Sequence, residues 1–429
     1  MASTENLAGY TILNQKYTEG AAGAITGIRS ALPATFSAAK GRVNKLNGDP
    51  TMYFFKDADG NLRAVVAQYI YKNGSATLAL IRIYDVTLEN WLPVTDWITW
   101  PGIKNLHDIV VQGDYLYGID YDEAKVVKID MNDGYTQIGT YTFLPTDGYE
   151  SHGVALASAH GYIYALFTTV KAPWGTADYQ LSTVVQLNVD GDDPLKVRQV
   201  NAGKNAFTLE RHTVNGTNYL YAASIGGKQQ YGTHNPDSAL TVIALDGSSG
   251  AMTPHTALKA SSLTGPAADK FDIRDIAFSD DGTAYVLVGC YNTAGTHLVG
   301  NLYKTTAAFI NGKTNAPLSD LGTPLATFDT AGYLWALLYE NVAAVNADRL
   351  WFVKGNQIDI CKLDGTVGIS FTPAQLGTGD VNVHLNSVTL IGQAPGVTAY
   401  RGTRSLAAHA RLAAEARQAV LEHKQQDEN

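Results

Sequence analysis

Short runs of alternating apolar and polar residues, punctuated by Gly, Asn and Asp, fill most of this chain, and almost none of it has a helical period. One phrase recurs: a polar residue, an aliphatic strand, a turn, then an aromatic-aliphatic-aromatic strand. It reads LHDIVVQGDYLYGID from Leu106, SHGVALASAHGYIYALF from Ser151 and RHTVNGTNYLYAAS from Arg211. Looser copies start at Arg274 (RDIAFSDDGTAYVLVG) and Glu340 (ENVAAVNADRLWFVKG). A third strand and a second tight turn follow in VVKIDMNDGYTQIG, TVVQLNVDGDDPLKV, LTVIALDGSSGAMT and QIDICKLDGTVGIS. The Asp-Gly pairs supply the positive φ that a hairpin turn needs. The pattern predicts serial units of four antiparallel strands with no helix between them.

Aligning the residue two positions before the first aliphatic of each opening strand gives seven anchors: Thr51, His107, His152, His212, Arg274, Glu340 and Asn386. A four-stranded unit of this kind resembles a β-propeller blade. The resemblance covers roughly residues 50–392 and stays at the level of fold, because the G-H…W-D pair of ordinary WD40 blades is missing. Seven anchors predict an all-β, seven-bladed β-propeller. Little strand pattern remains after Gly392, so Gly9–Asn14 and Ala22–Ile28 are expected to complete the last blade and remove its exposed edge. If those segments are not strands, six blades is the alternative. The organisation expected is therefore 1–50 for closure, 51–392 for the propeller and 393–429 for a linker and helical tail. In that tail Ser405 caps a helix with Leu406, Ala410, Ala413, Val420 and Leu421 along one face, either a surface helix or one that drives homo-oligomerisation.

The bulk numbers narrow the function. Apolar residues make up 45% of 429, enough for a large core, while charged residues are only 17%. A net charge of −9 argues against nucleic acid, which needs a basic stripe. No apolar run approaches the ~20 residues that cross a bilayer. Met1-Ala-Ser-Thr-Glu lacks the basic stretch and apolar run expected of a signal peptide, yet the Tyr-, Gly- and Asn-rich, lysine-poor composition points to a periplasmic or extracellular protein, with a cytoplasmic one as the alternative. Cys290 and Cys361 fall in strands of adjacent repeats and read as buried thiols; spacing alone leaves a disulfide open.

What the propeller resemblance implies is a mouth where the loops entering the inner strands converge, a common ligand or partner site in such folds. The candidate contacts there are His107, Asp108, His152, Arg211, His212, Arg274, Asp275, Glu340 and Asn386. Trp97, Trp100, Tyr149, Trp174 and Tyr231 lie in loops expected on the same face, two of them long (170–180 and 225–237). Three successive histidines, His107, His152 and His212, match the ligand count of a catalytic zinc site, so zinc or copper is the metal such a site would take. The competing reading makes the same polar residues a lining for backbone groups and ordered water. Asp57-Ala-Asp59-Gly60-Asn61 and Asp190–Asp193 read as turns, and Asp120–Glu123 as a solvated acidic loop. The leading functional expectation is a recognition module for a partner protein, glycan or small ligand. The alternatives are a metal-dependent lyase, hydrolase or redox enzyme, with Arg274 stabilising negative charge and Glu340 as acid or base, and an assembly subunit.

Overall fold

The computed structural model describes residues 6–14, 22–31, 35–47, 51–56, 61–72, 75–86, 91–100, 102–171, 178–227, 234–260, 271–292, 294, 297–331, 334–340, 349–354, 357–371 and 383–390. The expected tail helix, Trp174, Tyr231 and Asp57–Gly60 lie outside them. Among the described residues the strands form seven sheets, each with a four-strand antiparallel path. We number them I to VII by the chain order of their innermost strands: Thr51–Lys56, Leu106–Gln112, Tyr149–Ala159, Ala206–Val214, Asp272–Phe278, Leu334–Glu340 and Val383–Leu390. Within each of sheets I to VI the chain steps outward strand by strand; in sheet V the step to the fourth strand passes through the helix Ala307–Asn311 and the single turn Leu318–Leu321. Sheet VII joins the two ends of the chain: Val383–Leu390 pairs with Asn6–Asn14, which pairs with Ala22–Ala31 and then Thr35–Asn47.

The chain divides into two compact units. The first comprises 1–121, 127–139 and 334–407; the second comprises 122–126, 140–333 and 408–429. In the first unit, Val65, Ala67, Ile81 and Ile83 of sheet I pack against Leu106, Ile109 and Leu116 of sheet II, with Trp100 buried between. The second unit repeats this arrangement twice. Leu166 and Val184 of sheet III meet Leu220 and Ile243 of sheet IV, and Leu240 and Val242 of sheet IV meet Ile276 and Val286 of sheet V. Alternation along each strand places one apolar face in each of these layers, which is why both faces of a sheet read as hydrophobic.

The recurring aromatic-aliphatic-aromatic strand has a specific purpose. Its second aromatic, Tyr117, Tyr164, Tyr221 or Tyr285, is fully buried at the same position of sheets II to V, and Trp351 takes that position in sheet VI. Two of the hydroxyls tie adjacent repeats together. Tyr164 Oη donates to Gly250 O in the last turn of sheet IV (3.0 Å), and Tyr221 Oη donates to Asn311 Oδ1 in the connection between the third and fourth strands of sheet V (2.8 Å). Burial pushes both phenols well above the ordinary tyrosine range. Serines add a second tie: Ser182 Oγ accepts Ala206 N–H (2.9 Å) and Ser238 Oγ accepts Ile273 N–H (2.8 Å), each bridging one sheet to the next inner strand. Cys290 and Cys361 are both buried and form no disulfide.

Candidate functional site

The inner strands share one irregularity. Near the start of each, in sheets II to VII, the pairing skips a residue, leaving His107, Val154, Phe207, Arg274, Trp335 and Asn386 as the extra residue of a β-bulge. A bulge bends the strand and re-aims its side chain, and bulges gather at rims and functional sites. The residue after each bulge is small or polar: Asp108, Ala155, Thr208, Asp275, Ala336 and Ser387. Asp108 Oδ1 accepts Ile109 N–H (2.8 Å), Asp275 Oδ1 accepts Ile276 N–H (2.7 Å) and Thr208 Oγ1 accepts Ala223 N–H (3.3 Å), so these side chains service backbone that the bulge displaces. Asp108 and Asp275 are buried in that role.

This frame sorts the anchors expected from sequence. His107, Arg274 and Asn386 are bulge residues. His152 lies two residues before the bulge at Val154, still near the strand start. His212 and Glu340 do not belong with them. His212 sits three residues before the Asn215–Gly216 turn, paired with Tyr219 at the hairpin end, and Glu340 pairs with Arg349 at the corresponding end of sheet VI. Arg211 donates to Ser158 O (2.5 Å), and Asn218 Nδ2 lies 3.0 Å from His160 Nε2, so this end of sheet IV abuts the turn of sheet III. Ser158 is six residues beyond His152 on the same strand, about 20 Å away at ~3.3 Å per residue. The structure therefore does not bring His152 and His212 together. His212 instead stacks on Phe278 (4.5 Å between centroids, 7° apart). Among the described residues no group of three or more His, Cys, Asp or Glu side chains is arranged to hold a metal ion.

The loop aromatics also divide. Trp100 is fully buried in the core between sheets I and II, whereas Trp97 is half-buried with the Arg82 guanidinium 5.7 Å from its ring centroid. Tyr149 opens the inner strand of sheet III and is half-buried. His107 is buried, its ring 5.3 Å from that of Tyr121. Asp120 is no solvated loop acid: it is fully buried and accepts the backbone N–H groups of Lys104 and Asn105.

The densest polar cluster lies at the strand-start end of sheets IV and V. Asp272, the first residue of its strand, is 2% exposed and accepts Asn235 N–H (2.6 Å) and Asn235 Nδ2 (3.4 Å). Arg274 Nη2 pairs with the same carboxylate (3.2 Å), its Nε donates to Gly289 O (3.0 Å), and its guanidinium lies 5.5 Å from the Tyr291 ring centroid. Three contacts fix the guanidinium plane, and among the described residues Nη1 has no partner. Burial pushes the Asp272 carboxyl up to about 6, a rise that the Arg274 charge and the Asn235 hydrogen bonds oppose without cancelling. Beside it, burial raises the Cys290 thiol, and Asp272 raises it further.

Sequence reading missed the residues that carry this cluster, Asp272, Asn235 and His234. His234 is fully buried, and among the described residues neither ring nitrogen has a hydrogen-bond partner. At the base of the same connection Gly226 adopts a φ of +100°, and a Cβ there would fall 2.4 Å from Asn235 Cβ, so only glycine permits this approach. Lys204 Nζ pairs with Asp237 (3.1 Å), and Gly227 N–H donates to Asp237 Oδ1 (3.0 Å). Burial opposes ionisation of Asp237, but those two partners outweigh it and hold its carboxyl below the usual range. A fixed arginine with one uncommitted N–H pair can bind an acceptor oxygen such as a carboxylate.

No protein-family model matches the chain, and no curated protein matches it. Among solved structures, a protein from Lactobacillus plantarum is similar over 85% of this chain and 95% of its own length, at 13% identity and a TM-score of 0.54. Lesser similarity extends to the β-propeller domain of the Trilobed protease from Pyrococcus furiosus (10% identity, 85% and 93% covered, TM-score 0.38). It extends likewise to apo AztD from Citrobacter koseri (12% identity, 90% and 89% covered, TM-score 0.40). The chain has the β-propeller fold. That settles the scaffold and leaves chemistry to the residues, because one fold hosts many functions. No helix among the described residues is long and apolar enough to cross a membrane.

Proposed function

We propose that this propeller is an exported, seven-bladed recognition module that binds a carboxylate-bearing ligand, small molecule or glycan, at the strand-start end of sheets IV and V. Arg274 is the residue that meets the ligand. The observation that carries the reading is its immobilisation on Asp272, Gly289 and Tyr291 with Nη1 left over. A guanidinium ordered before binding loses little entropy on contact, which favours binding over an arginine free in solution. Phe207, half-buried at the neighbouring bulge, supplies apolar surface for the body of such a ligand. Binding alone is the reading favoured over catalysis, since the cluster places no nucleophile beside an activating base: the Cys290 thiol is raised rather than activated.

Calorimetric titration with glucuronate and citrate tests this. The comparison is the wild type against the paired change Asp272→Asn with Arg274→Gln, which removes both charges without leaving one buried alone. Binding by the wild type that is lost in the pair, with unchanged thermal unfolding, supports the site. Equal binding by both proteins, or none by the wild type, removes it.

A further inference from the structure

The Arg274 guanidinium divides its donors between two directions. Nη2 meets the buried Asp272 carboxylate (3.2 Å), Nε meets Gly289 O (3.0 Å), and Nη1 is left for a ligand. A ligand carboxylate on Nη1, with Asp272 on Nη2, would set two negative charges about 6 Å apart around one positive charge. Two carboxylates that share a site do not both ionise freely; one of them holds a proton more tightly. Asp272 is the one placed to hold it. Its side chain is 2% exposed against 15% for Arg274, and burial already lifts its carboxyl to about 6. An ordinary ligand carboxyl titrates near ~4.

The charged and titratable groups around Asp272 come from three elements. Its own strand supplies Arg274, while Asp275 is engaged on Ile276 N–H. The connection that carries Asn235 supplies His234 and Asp237. Lys204 and the Gly227 N–H hold the Asp237 carboxyl below the usual range, so it stays ionised above pH 5. The next strand supplies Cys290, whose thiol is raised by burial and by Asp272 and so stays protonated. We infer that a carboxylate binding at Arg274 draws a proton from water onto Asp272, so that the module takes up its ligand in mildly acidic surroundings and holds it less tightly at neutral pH and above. The inference rests on the carboxylate site proposed above. Its sign follows from linkage: the complex binds more protons than the free protein, so affinity rises as pH falls through the window between their two titrations and is level on either side. Gly289 O and the Tyr291 ring keep the guanidinium in place whichever form Asp272 takes. Charges about 6 Å apart in a partly buried site change an equilibrium by roughly tenfold to a hundredfold.

Calorimetric titration of the full chain with glucuronate, whose carboxylate stays ionised above pH 5, reads both the affinity and the proton. The wild type is expected to bind about tenfold or more tightly at pH 5 than at pH 8. Titrations at pH 6.5 in two buffers of different ionisation enthalpy are expected to show about half a proton or more taken up per ligand. Asp272→Asn is expected to bind with the acid-limb affinity at every pH and to take up no proton. Absence of binding by the wild type at any pH removes the Arg274 site and this inference with it. Wild-type binding that is level in pH, or that strengthens towards pH 8, overturns the inference and leaves the site standing. A pH dependence that survives in Asp272→Asn also overturns it, by assigning the proton to another group, with His234→Gln as the variant that identifies it. The proton count is read on the wild type, so it decides the matter even if Asp272→Asn fails to fold.

Discussion

Asp272 makes the folded protein respond to pH in a direction opposite to that of most carboxylates. Its carboxyl rises from an ordinary 3.8 to about 6 because burial costs the ionised form more than Arg274 and Asn235 return. Between those two values the unfolded chain has released the proton and the folded chain still holds it. The folded state then binds more protons, so stability falls as pH rises through this window and is flat above it. A shift of about two units corresponds to roughly 3 kcal/mol. Asp272→Asn keeps the shape and removes the titration. Its other effect, leaving Arg274 without a counter-charge, is an offset that does not vary over this range. Urea unfolding of both proteins at half-unit steps from pH 4 to pH 8 gives the stability difference, wild type minus variant, at each pH. That difference is expected to fall by roughly 3 kcal/mol between pH 4 and pH 7 and then level off. A flat difference would refute the dominance of burial. A rising one would show that the Arg274 ion pair controls the group. Asp237, which its partners depress, titrates below this window and is common to both proteins, so it cancels.

Three further outcomes follow from packing. Gly118→Ala places a Cβ 2.5 Å from Trp100 Cη2 and 2.7 Å from Leu106 Cδ1, and should cost about 1–3 kcal/mol in denaturant unfolding by overpacking the layer between sheets I and II. Gly300→Ala meets backbone instead, Val288 O at 2.0 Å, where no rotamer change gives relief; its midpoint should drop further than that of Gly118→Ala. His212→Ala removes the stack on Phe278 and should cost about 0.5–1.5 kcal/mol while leaving the metal content of the purified protein unchanged by elemental analysis. A loss of bound metal in that variant would contradict the placement of His212 at the hairpin end.

The architecture was legible because its signals are local. Strand alternation, Asp-Gly turns and the paired aromatics each declare a hairpin, and the buried tyrosines of sheets II to V stand where those aromatics recur. The site was only partly legible, because its frame depends on a feature without length of its own. A bulge adds one residue to a strand, and nothing in a hydrophobic pattern marks where. In sheet II the polar residue before the aliphatics is the bulge, His107. In sheet IV the same phrase, RHTV, is the far end of a nine-residue strand whose bulge is Phe207. Counting back from the turn separates the two, since His107 is six residues before Gly113 and His212 only three before Asn215. The short strings HDI, VAL, FTL, RDI, WAL and NSV, an extra residue, a small or polar one, then an aliphatic, mark all six bulges once the register is known. Asp272 and His234 were beyond reach, because their importance lies in burial and in tertiary partners 37 residues apart in the case of Asp272 and Asn235.

Sheet VII makes the order of synthesis matter. Gly9 pairs with Thr389, so three strands made at the outset wait for a fourth that is 389 − 9 = 380 residues downstream. At bacterial to eukaryotic elongation speeds that wait is roughly 20–80 s, far longer than a hairpin needs to form. Throughout it, the Asn6–Asn14 edge that will accept Val383–Leu390 is open to any passing strand. Nascent chains stalled before residue 383 should therefore engage holdase chaperones through this amino-terminal edge, and a circular permutant beginning at Thr51 would release them from that dependence by making the four strands in succession.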